Sequence, residues 1–547
     1  MLQSFCSMPQ HRGILSLALI LSFSLSFLSP PADANPSTHA DSIAALVGDE
    51  SKLESAKTLV LFGATGDLAG RKLFPSLHKL HQQGMLGDSF RIVAASPRIG
   101  EDFKTSLRER VSTLAGVDVS TASWKKFETL IVPQTVSFDD QASVERLKKH
   151  LGKGRSGVFY LALPTAAFEP AVIALSKSNL VGNTGSAAKN TLVFEKPFGN
   201  NLKETRKLGD ATKNIPEDRV MRMDHYLGKQ SVLSLMSLRF IDKRLEGMWN
   251  RQYVSRVEIS ATEKLDIQGR GGFYDKTGAM RDFVQGHLMQ VLSIVAMEAP
   301  GSASKLRDAK AESLKLVQPI DTSKVVRGQY QGYRQTEGVN PRSTTESYVA
   351  LQAQLRGQRW QGVPFAIESG KALSEKRTQV KVHFKSLEPG VARELGVSPG
   401  QPAVLTIAID PKAEITLRSG NKEITIQPTG PEIKEREPYE RLLLAAVTGS
   451  QGLFAGRSEI EQSWKILDPV ARSFRLNQVP LSDYKRSSKR PRGAKKLFTK
   501  ARPIQMLTGK TGKTIPSKKR VRPVSKAAKR KISATKKPSP GRVRRLR

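Results

Sequence analysis

Between residues 57 and 200 the chain carries short, continuous apolar runs, each closed by glycine, proline or charge. Thr58-Leu-Val-Leu-Phe62 is the first, and Gly63-Ala-Thr-Gly-Asp-Leu-Ala69 follows it at once. Leu73, Phe74, Leu77 and Leu80 then fall at helical spacing. Strand, glycine turn and helix in that order open a dinucleotide-binding unit. The glycines permit a tight turn, and the helix N-terminus offers free N–H groups and a positive dipole end to a pyrophosphate. The spacing is G-x-x-G-x-x-A rather than G-x-G-x-x-G, so a plain strand-to-helix turn stays open on these residues alone. Arg91-Ile-Val-Ala-Ala95, Gly157-Val-Phe-Tyr-Leu-Ala-Leu-Pro164 and Asn190-Thr-Leu-Val-Phe-Glu-Lys-Pro-Phe-Gly199 read as further strands of the same sheet.

Beyond Lys229 the texture changes. Val257-Glu-Ile-Ser-Ala-Thr-Glu263 and Val380-Lys-Val-His-Phe-Lys385 alternate, and Val404-Leu-Thr-Ile-Ala-Ile409 is strand-like. Residues 283–297, 440–447 and 459–464 have helical spacing. Alternating strands mixed with helices predict an α+β domain around a mainly antiparallel sheet. A chain of 547 residues is too long for one ordinary domain. The pattern divides it into a first domain over 57–225 and a second over 226–486, after a polar linker at 35–56.

Charge singles out the far end. Net charge is +38, yet residues 485–547 hold 25 Lys and Arg and no acid, which leaves +13 for the first 484 residues. Residues 487–547 lack apolar periodicity and read as a disordered basic tail. With Phe498 its only aromatic residue, such a tail would meet nucleic acid through phosphates, with strong salt dependence and little base stacking. Another polyanion would attract it equally. At the other end, His11 and Arg12 precede an apolar run at 14–28, and Pro30-Pro-Ala-Asp-Ala34 supplies a small-x-small cleavage site. The run is shorter than the roughly 20 residues that span a bilayer. Residues 1–34 therefore read as a signal or targeting peptide, with an organelle transit peptide as the alternative and no integral membrane segment in the mature chain. The only cysteine, Cys6, lies inside that segment, which excludes disulfide and thiolate chemistry from a mature chain.

Candidate chemistry sits at the strand ends and in one octapeptide. Arg222-Met-Asp-His-Tyr-Leu-Gly-Lys229 packs a carboxylate, an imidazole, a phenol and an ammonium together. His225, Tyr226 and Lys229 can donate to phosphate oxygens, and Asp224 can orient a catalytic base. Lys196 lies one residue past a strand end, where open parallel sheets bind ligands. After the second strand the chain runs Ser96-Pro-Arg98, with no acid until Glu101. An arginine there suits the 2′-phosphate of NADP, and a plain surface arginine is the competing reading. No His, Asp or Glu spacing reads as a metal site.

These stretches, together with Arg270–His287, resemble glucose-6-phosphate dehydrogenases. That family carries a G-A-S/T-G-D-L-A-x-R-K-L turn, an E-K-P-F-G strand end and an R-I-D-H-Y-L-G-K-E segment. It continues with R-G-G-Y-Y-D-x-x-G-A-x-R-D-M-V-Q-N-H, V-R-G-Q-Y and V-P-F-Y-x-R-x-G-K-x-L-x-x-K. The matching stretches here run in that order, from 63–73 through 195–199, 222–229, 270–287 and 326–330 to 363–376. The resemblance covers about residues 57–486. It implies an NADP-binding Rossmann domain followed by a substrate and oligomerisation domain, in a homodimer or homotetramer. The reaction it implies is oxidation of D-glucose 6-phosphate to 6-phospho-D-glucono-1,5-lactone.

Within that resemblance His287 matches the general base and Asp224 its partner carboxylate. His225, Tyr226 and Lys229 match the phosphate clamp, and Glu263, Asp282, Lys371 and Lys376 match positions around the sugar. Lys196 matches a lysine shared by substrate and cofactor, with Pro197 where the family's proline can be cis. Gly63, Thr65, Gly66, Asp67, Leu68, Arg98 and Pro164 complete the expected cofactor contacts. The chain also departs from the pattern. Glu368 reverses an arginine three positions before Lys371, which also argues against the extra structural NADP site of animal enzymes. Gly286 replaces the Asn before the base, while Gln230, Ser234 and Thr165 are further changes. These departures put substrate affinity and loop geometry in question. Two alternatives follow: a weakened dehydrogenase fold that acts mainly through its basic tail, and a related enzyme for another sugar phosphate.

Overall fold

The computed structural model describes residues 57–499, apart from 152–155, 241–242 and 428–434. The expected targeting segment at 1–34, the expected linker at 35–56 and the basic chain from 500 onward lie outside the described residues. No helix among the described residues is long and apolar enough to cross a membrane.

Six strands form the first sheet: β1 (Lys57–Phe62), β2 (Arg91–Ser96), β3 (Ile131–Thr135), β4 (Ser156–Leu161), β5 (Thr191–Glu195) and β6 (Val220–Met223). All pairs are parallel and the order is β3-β2-β1-β4-β5-β6. This is the doubly wound dinucleotide-binding order, with its crevice where β1 meets β4. Residues 59–62 of β1 and 158–161 of β4 are buried, which is why these strands read as unbroken apolar runs. The helix Phe74–Gln82 buries Phe74, Leu77 and Leu80 as their spacing predicts.

The second sheet has nine strands: β7 (Val254–Thr262), β8 (Val325–Tyr330), β9 (Tyr348–Gln354), β10 (Pro364–Gly370), β11 (Arg377–Phe384), β12 (Ala403–Asp410), β13 (Glu414–Ser419), β14 (Lys422–Thr425) and β15 (Leu481–Tyr484). The order is β14-β13-β12-β11-β7-β10-β9-β8-β15. It is mainly antiparallel, as expected, with two parallel contacts, β7 with β10 and β8 with β15. Along β12 buried and half-buried residues alternate strictly, so one face packs on the core and the other does not. Helix Gln230–Phe240 packs on β12 and the segment Met280–Leu288 on β7 and β10, while Pro438–Thr448 and Arg457–Arg475 pack on the first-domain helices Phe74–Gln82 and Leu202–Ala211.

The folded chain outruns the expected tail boundary at 486. A helical turn at Arg492–Phe498 buries Ala494 and Phe498 in a second apolar cluster with Tyr330, Tyr348, Leu373 and Tyr484. Charge density hid this segment: Ala494, Leu497 and Phe498 share seven residues with Arg492, Lys495 and Lys496 and leave no periodic signal.

Candidate active site

The turn after β1 is built for close approach. Gly63 has φ 76°, and a Cβ there would sit 2.2 Å from the Ala162 carbonyl oxygen at the end of β4. Only glycine fits this position. Gly66 N donates to Gly63 O at 2.9 Å, and Thr65 Oγ1 lies 3.2 Å from Ser96 Oγ at the end of β2. Asp67 is paired with Arg71, and Leu68 starts the following helix. Arg98 is exposed just past β2, and Pro164 is exposed past β4. The expected cofactor residues thus line the carboxyl edge of the first sheet around one cradle. Sequence reasoning missed Arg110, whose guanidinium donates to Thr65 O at 2.6 Å and Ala64 O at 2.9 Å and so braces the turn. It lies on helix Phe103–Ala115, and nothing local marks it.

Three elements converge on the candidate base. β6 ends at Met223 and delivers Asp224, β5 ends at Glu195 and delivers Lys196, and a stretch of wide helical turns, Met280–Leu288, carries Asp282 and His287. Such π-type turns concentrate at functional sites. His287 Nδ1 lies 2.6 Å from Asp224 Oδ1, and both groups are buried. With the carboxylate accepting, Nδ1 carries the proton and Nε2 keeps a free lone pair. Lys196 Nζ donates to that Nε2 at 2.8 Å and to the Asp282 carbonyl at 2.9 Å, with Asp282 Oδ1 at 3.4 Å. The Lys196–Pro197 bond is cis. Burial, reinforced by the Lys196 ammonium, pushes the His287 pKa well below the ordinary 6.5, so the ring is neutral. Burial pushes Asp224 upward against the pull of His225 and Lys196.

The remaining cations and rings surround this pair. Tyr226 stacks on His287, with ring centroids 4.1 Å apart, and His225 meets the same ring edge-on at 4.7 Å. Burial lowers the His225 pKa to about 3 and raises that of Tyr226. Lys229 Nζ is 3.2 Å and Lys376 Nζ 2.8 Å from the two oxygens of Asp410, at the end of β12. Asp410 was not anticipated, because it lies 181 positions from Lys229 and no motif flags it. Lys371 is paired with Glu263 and stands over the Tyr274 ring at 5.2 Å. A cavity of about 250 Å³ runs from Lys196 and Asp282 past Gly286 to Gln290 and Trp464. A Cβ on Gly286 would come within 3.0 Å of Lys196 Nζ, so this glycine gives the ammonium room beside the base.

Two expected perturbations take a different form. Glu368 does not face Lys371: it is fully buried and accepts two hydrogen bonds from Arg490, at 2.6 and 2.7 Å. Gln230 stays in the structural frame, accepting from Arg441 at 2.8 Å. Asp224, His225 and His287 bring ligand-type atoms within 4.8 Å of one another. Two of those atoms already share a hydrogen bond, and Lys196 occupies Nε2, so the cluster is arranged as a proton-transfer pair rather than a chelate.

A carboxylate-oriented imidazole within reach of a dinucleotide cradle suits chemistry in which a hydroxyl proton and a hydride leave neighbouring atoms. That combination defines the class as dinucleotide-dependent dehydrogenases. Family models agree. The model described as glucose-6-phosphate dehydrogenase, NAD binding domain, matches residues 60–233, and the corresponding C-terminal domain model matches 236–504. The chain belongs to the glucose-6-phosphate dehydrogenase family. Glucose-6-phosphate 1-dehydrogenase of Chlamydia muridarum is 32% identical over 481 residues, covering 81% of this chain and 95% of the relative. The crystal structure of the Mycobacterium avium protein of that name aligns with a TM-score of 0.71 at 33% identity, covering 81% of this chain and 96% of its own. A glucose-6-phosphate dehydrogenase in complex with its substrate glucose-6-phosphate aligns with a TM-score of 0.72 at 27% identity, covering 82% and 98%.

Proposed function

We propose that this protein oxidises D-glucose 6-phosphate at C1 to 6-phospho-D-glucono-1,5-lactone, with NADP as acceptor, as a homodimer or homotetramer. The observation that carries the reading is the neutral His287, held by Asp224 at 2.6 Å with Nε2 facing Lys196. His287 Nε2 takes the C1 hydroxyl proton, which enters where Lys196 now donates. Asp224 fixes the ring and stabilises the imidazolium that forms. A bound nicotinamide supplies the hydride acceptor. His225, Tyr226 and Lys229 hold the phosphate, joined by Lys376, which was expected beside the sugar but shares Asp410 with Lys229, while Glu263, Asp282 and Lys371 bind sugar hydroxyls. Gly63 and Gly66 allow the backbone to approach the pyrophosphate. The test is reduction of NADP by glucose 6-phosphate, against other hexose 6-phosphates, with the chain lacking residues 1–34. Absence of turnover by folded protein that binds NADP defeats the reading.

Two side chains sharpen it. Arg98→Glu places a carboxylate where a 2′-phosphate would sit, so kcat/KM with NADP falls by about 10- to 100-fold while that with NAD changes little. Equal losses with both dinucleotides would remove Arg98 from the NADP argument. Asp410 holds the two clamp lysines that a phosphate dianion needs, so the substrate must compete with a carboxylate. Asp410→Asn therefore lowers KM for glucose 6-phosphate by about threefold or more, and initial-rate kinetics reads it directly. A higher KM would show that Asp410 orients the lysines rather than opposing the phosphate.

A further inference from the structure

The ion pair between buried Glu368 and half-buried Arg490 joins a strand of the second sheet to chain that charge alone marks as tail. Glu368 lies on β10, three positions before Lys371. Its carboxylate is fully buried, and besides Arg490 it accepts from Tyr348 Oη at 2.8 Å and Ser260 Oγ at 2.9 Å. The Arg490 guanidinium also stands 3.9 Å from the centroid of the Phe498 ring. Both ends of the segment are thereby fixed: β15 pairs with β8 at one end, and Arg490 and Phe498 anchor the other.

Between these anchors the segment grips the loop that follows β10. Tyr484 Oη donates to Lys371 O at 2.7 Å, Ser487 N to Ala372 O at 2.8 Å, and Ser374 N to Ser488 O at 3.1 Å. Ala372 has φ 53°, a left-handed conformation that a non-glycine residue keeps only where its surroundings over-determine it. The gripped loop carries Lys371 at its start and Lys376 at its end, both facing the candidate site.

We propose that residues 484–498 form a positioning strap for the Lys371–Lys376 loop, locked by the Arg490–Glu368 pair, and that Arg490 and Tyr484 are positioning residues for the sugar phosphate. The strap touches none of the cofactor turn, so its loss acts on one substrate. This inference rests on the substrate assignment made above for the two lysines.

The test uses the full chain with Arg490→Met, Arg490→Lys and Tyr484→Phe. Arg490→Met raises KM for glucose 6-phosphate by about tenfold, a step equivalent to 1.4 kcal/mol, while KM for NADP stays within about twofold. Arg490→Lys, which keeps the charge but not the bidentate fork, restores part of the loss. Tyr484→Phe removes the hydroxyl's bonds to Lys371 O and Ser347 Oγ without touching the Arg490–Glu368 pair, and raises the same KM by about threefold. Amide hydrogen exchange at Leu373 and Ser374 accelerates in Arg490→Met ahead of exchange in β1 and β4. That readout holds whatever the substrate proves to be: an unmutated protein inactive on glucose 6-phosphate defeats the functional reading but not the strap. Unchanged loop exchange in the variants overturns the strap, as does a lower melting temperature with KM for glucose 6-phosphate unmoved. Should Arg490→Met fail to fold, Tyr484→Phe carries both measurements.

Discussion

His287→Asn lowers kcat with glucose 6-phosphate and NADP by about 10³-fold, the middle of the range for loss of a positioned general base. Asparagine keeps a polar group near Asp224 and fits the space, although the ring that Tyr226 stacks on is lost. What disappears is the lone pair at Nε2. KM for either substrate moves little, because the phosphate clamp and the glycine turn are untouched. Steady-state kinetics at saturation, with circular dichroism to show the fold intact, reads the outcome; a variant retaining a tenth or more of wild-type kcat would remove His287 from the proton transfer. The same geometry fixes the pH dependence. The base works unprotonated, so the rate falls as pH drops through its pKa. Burial and Lys196 hold that pKa well below 6.5, and the acid limb of kcat/KM therefore lies below pH 6.5. Lys196→Met removes the neighbouring cation and shifts that limb upward.

The sequence marks the first sheet and the cofactor turn clearly because their signals are local. β1, β2, β4 and β5 are apolar on both faces, and the glycines that follow β1 answer to a backbone constraint at one point. β3 escaped because only Ile131 is fully buried along it and Pro133 interrupts the run. β6 has four residues and merges into the octapeptide motif. In the second sheet the apolar–polar alternation of β7 and β11 was legible and β12 read as a strand, whereas the residues of β9 and β10 do not alternate regularly. The named site residues came from motif order rather than periodicity, and the structure gathers His287, Asp224 and Lys196 at hydrogen-bond distance. Partners that depend on the tertiary fold stayed invisible: Arg110 under the turn, Asp410 between two lysines, Arg490 on Glu368. Each is a charged side chain whose role is set by a neighbour far along the chain. Glu368 shows the consequence, since read alone it looks like damage to a substrate site and in the fold it is a buried carboxylate paired with Arg490.

Lys310→Met destabilises the protein by about 3–5 kcal/mol, a large share of the roughly 5–15 kcal/mol that holds a typical domain. Lys310 on helix Leu306–Lys315 and Glu459 in the first turn of helix Arg457–Arg475 face each other at 3.2 Å, and both side chains are wholly excluded from water. Glu459 also accepts from Gly456 N at 3.2 Å and so closes its own helix start, while Lys310 donates to Gln290 at 3.3 Å. Removing the ammonium leaves a buried carboxylate with only the more distant Arg307 guanidinium to offset it, and that poorly compensated charge, rather than the attraction itself, sets the size of the loss. Urea denaturation followed by fluorescence measures the shift in midpoint. The double variant Lys310→Met with Glu459→Leu separates the two causes. An apolar pair of similar volume packs the two helices without charge, so most of the stability returns, less the lost helix cap. If the double variant falls as far as the single one, the polar contacts to Gln290 and Gly456 are what hold these helices together.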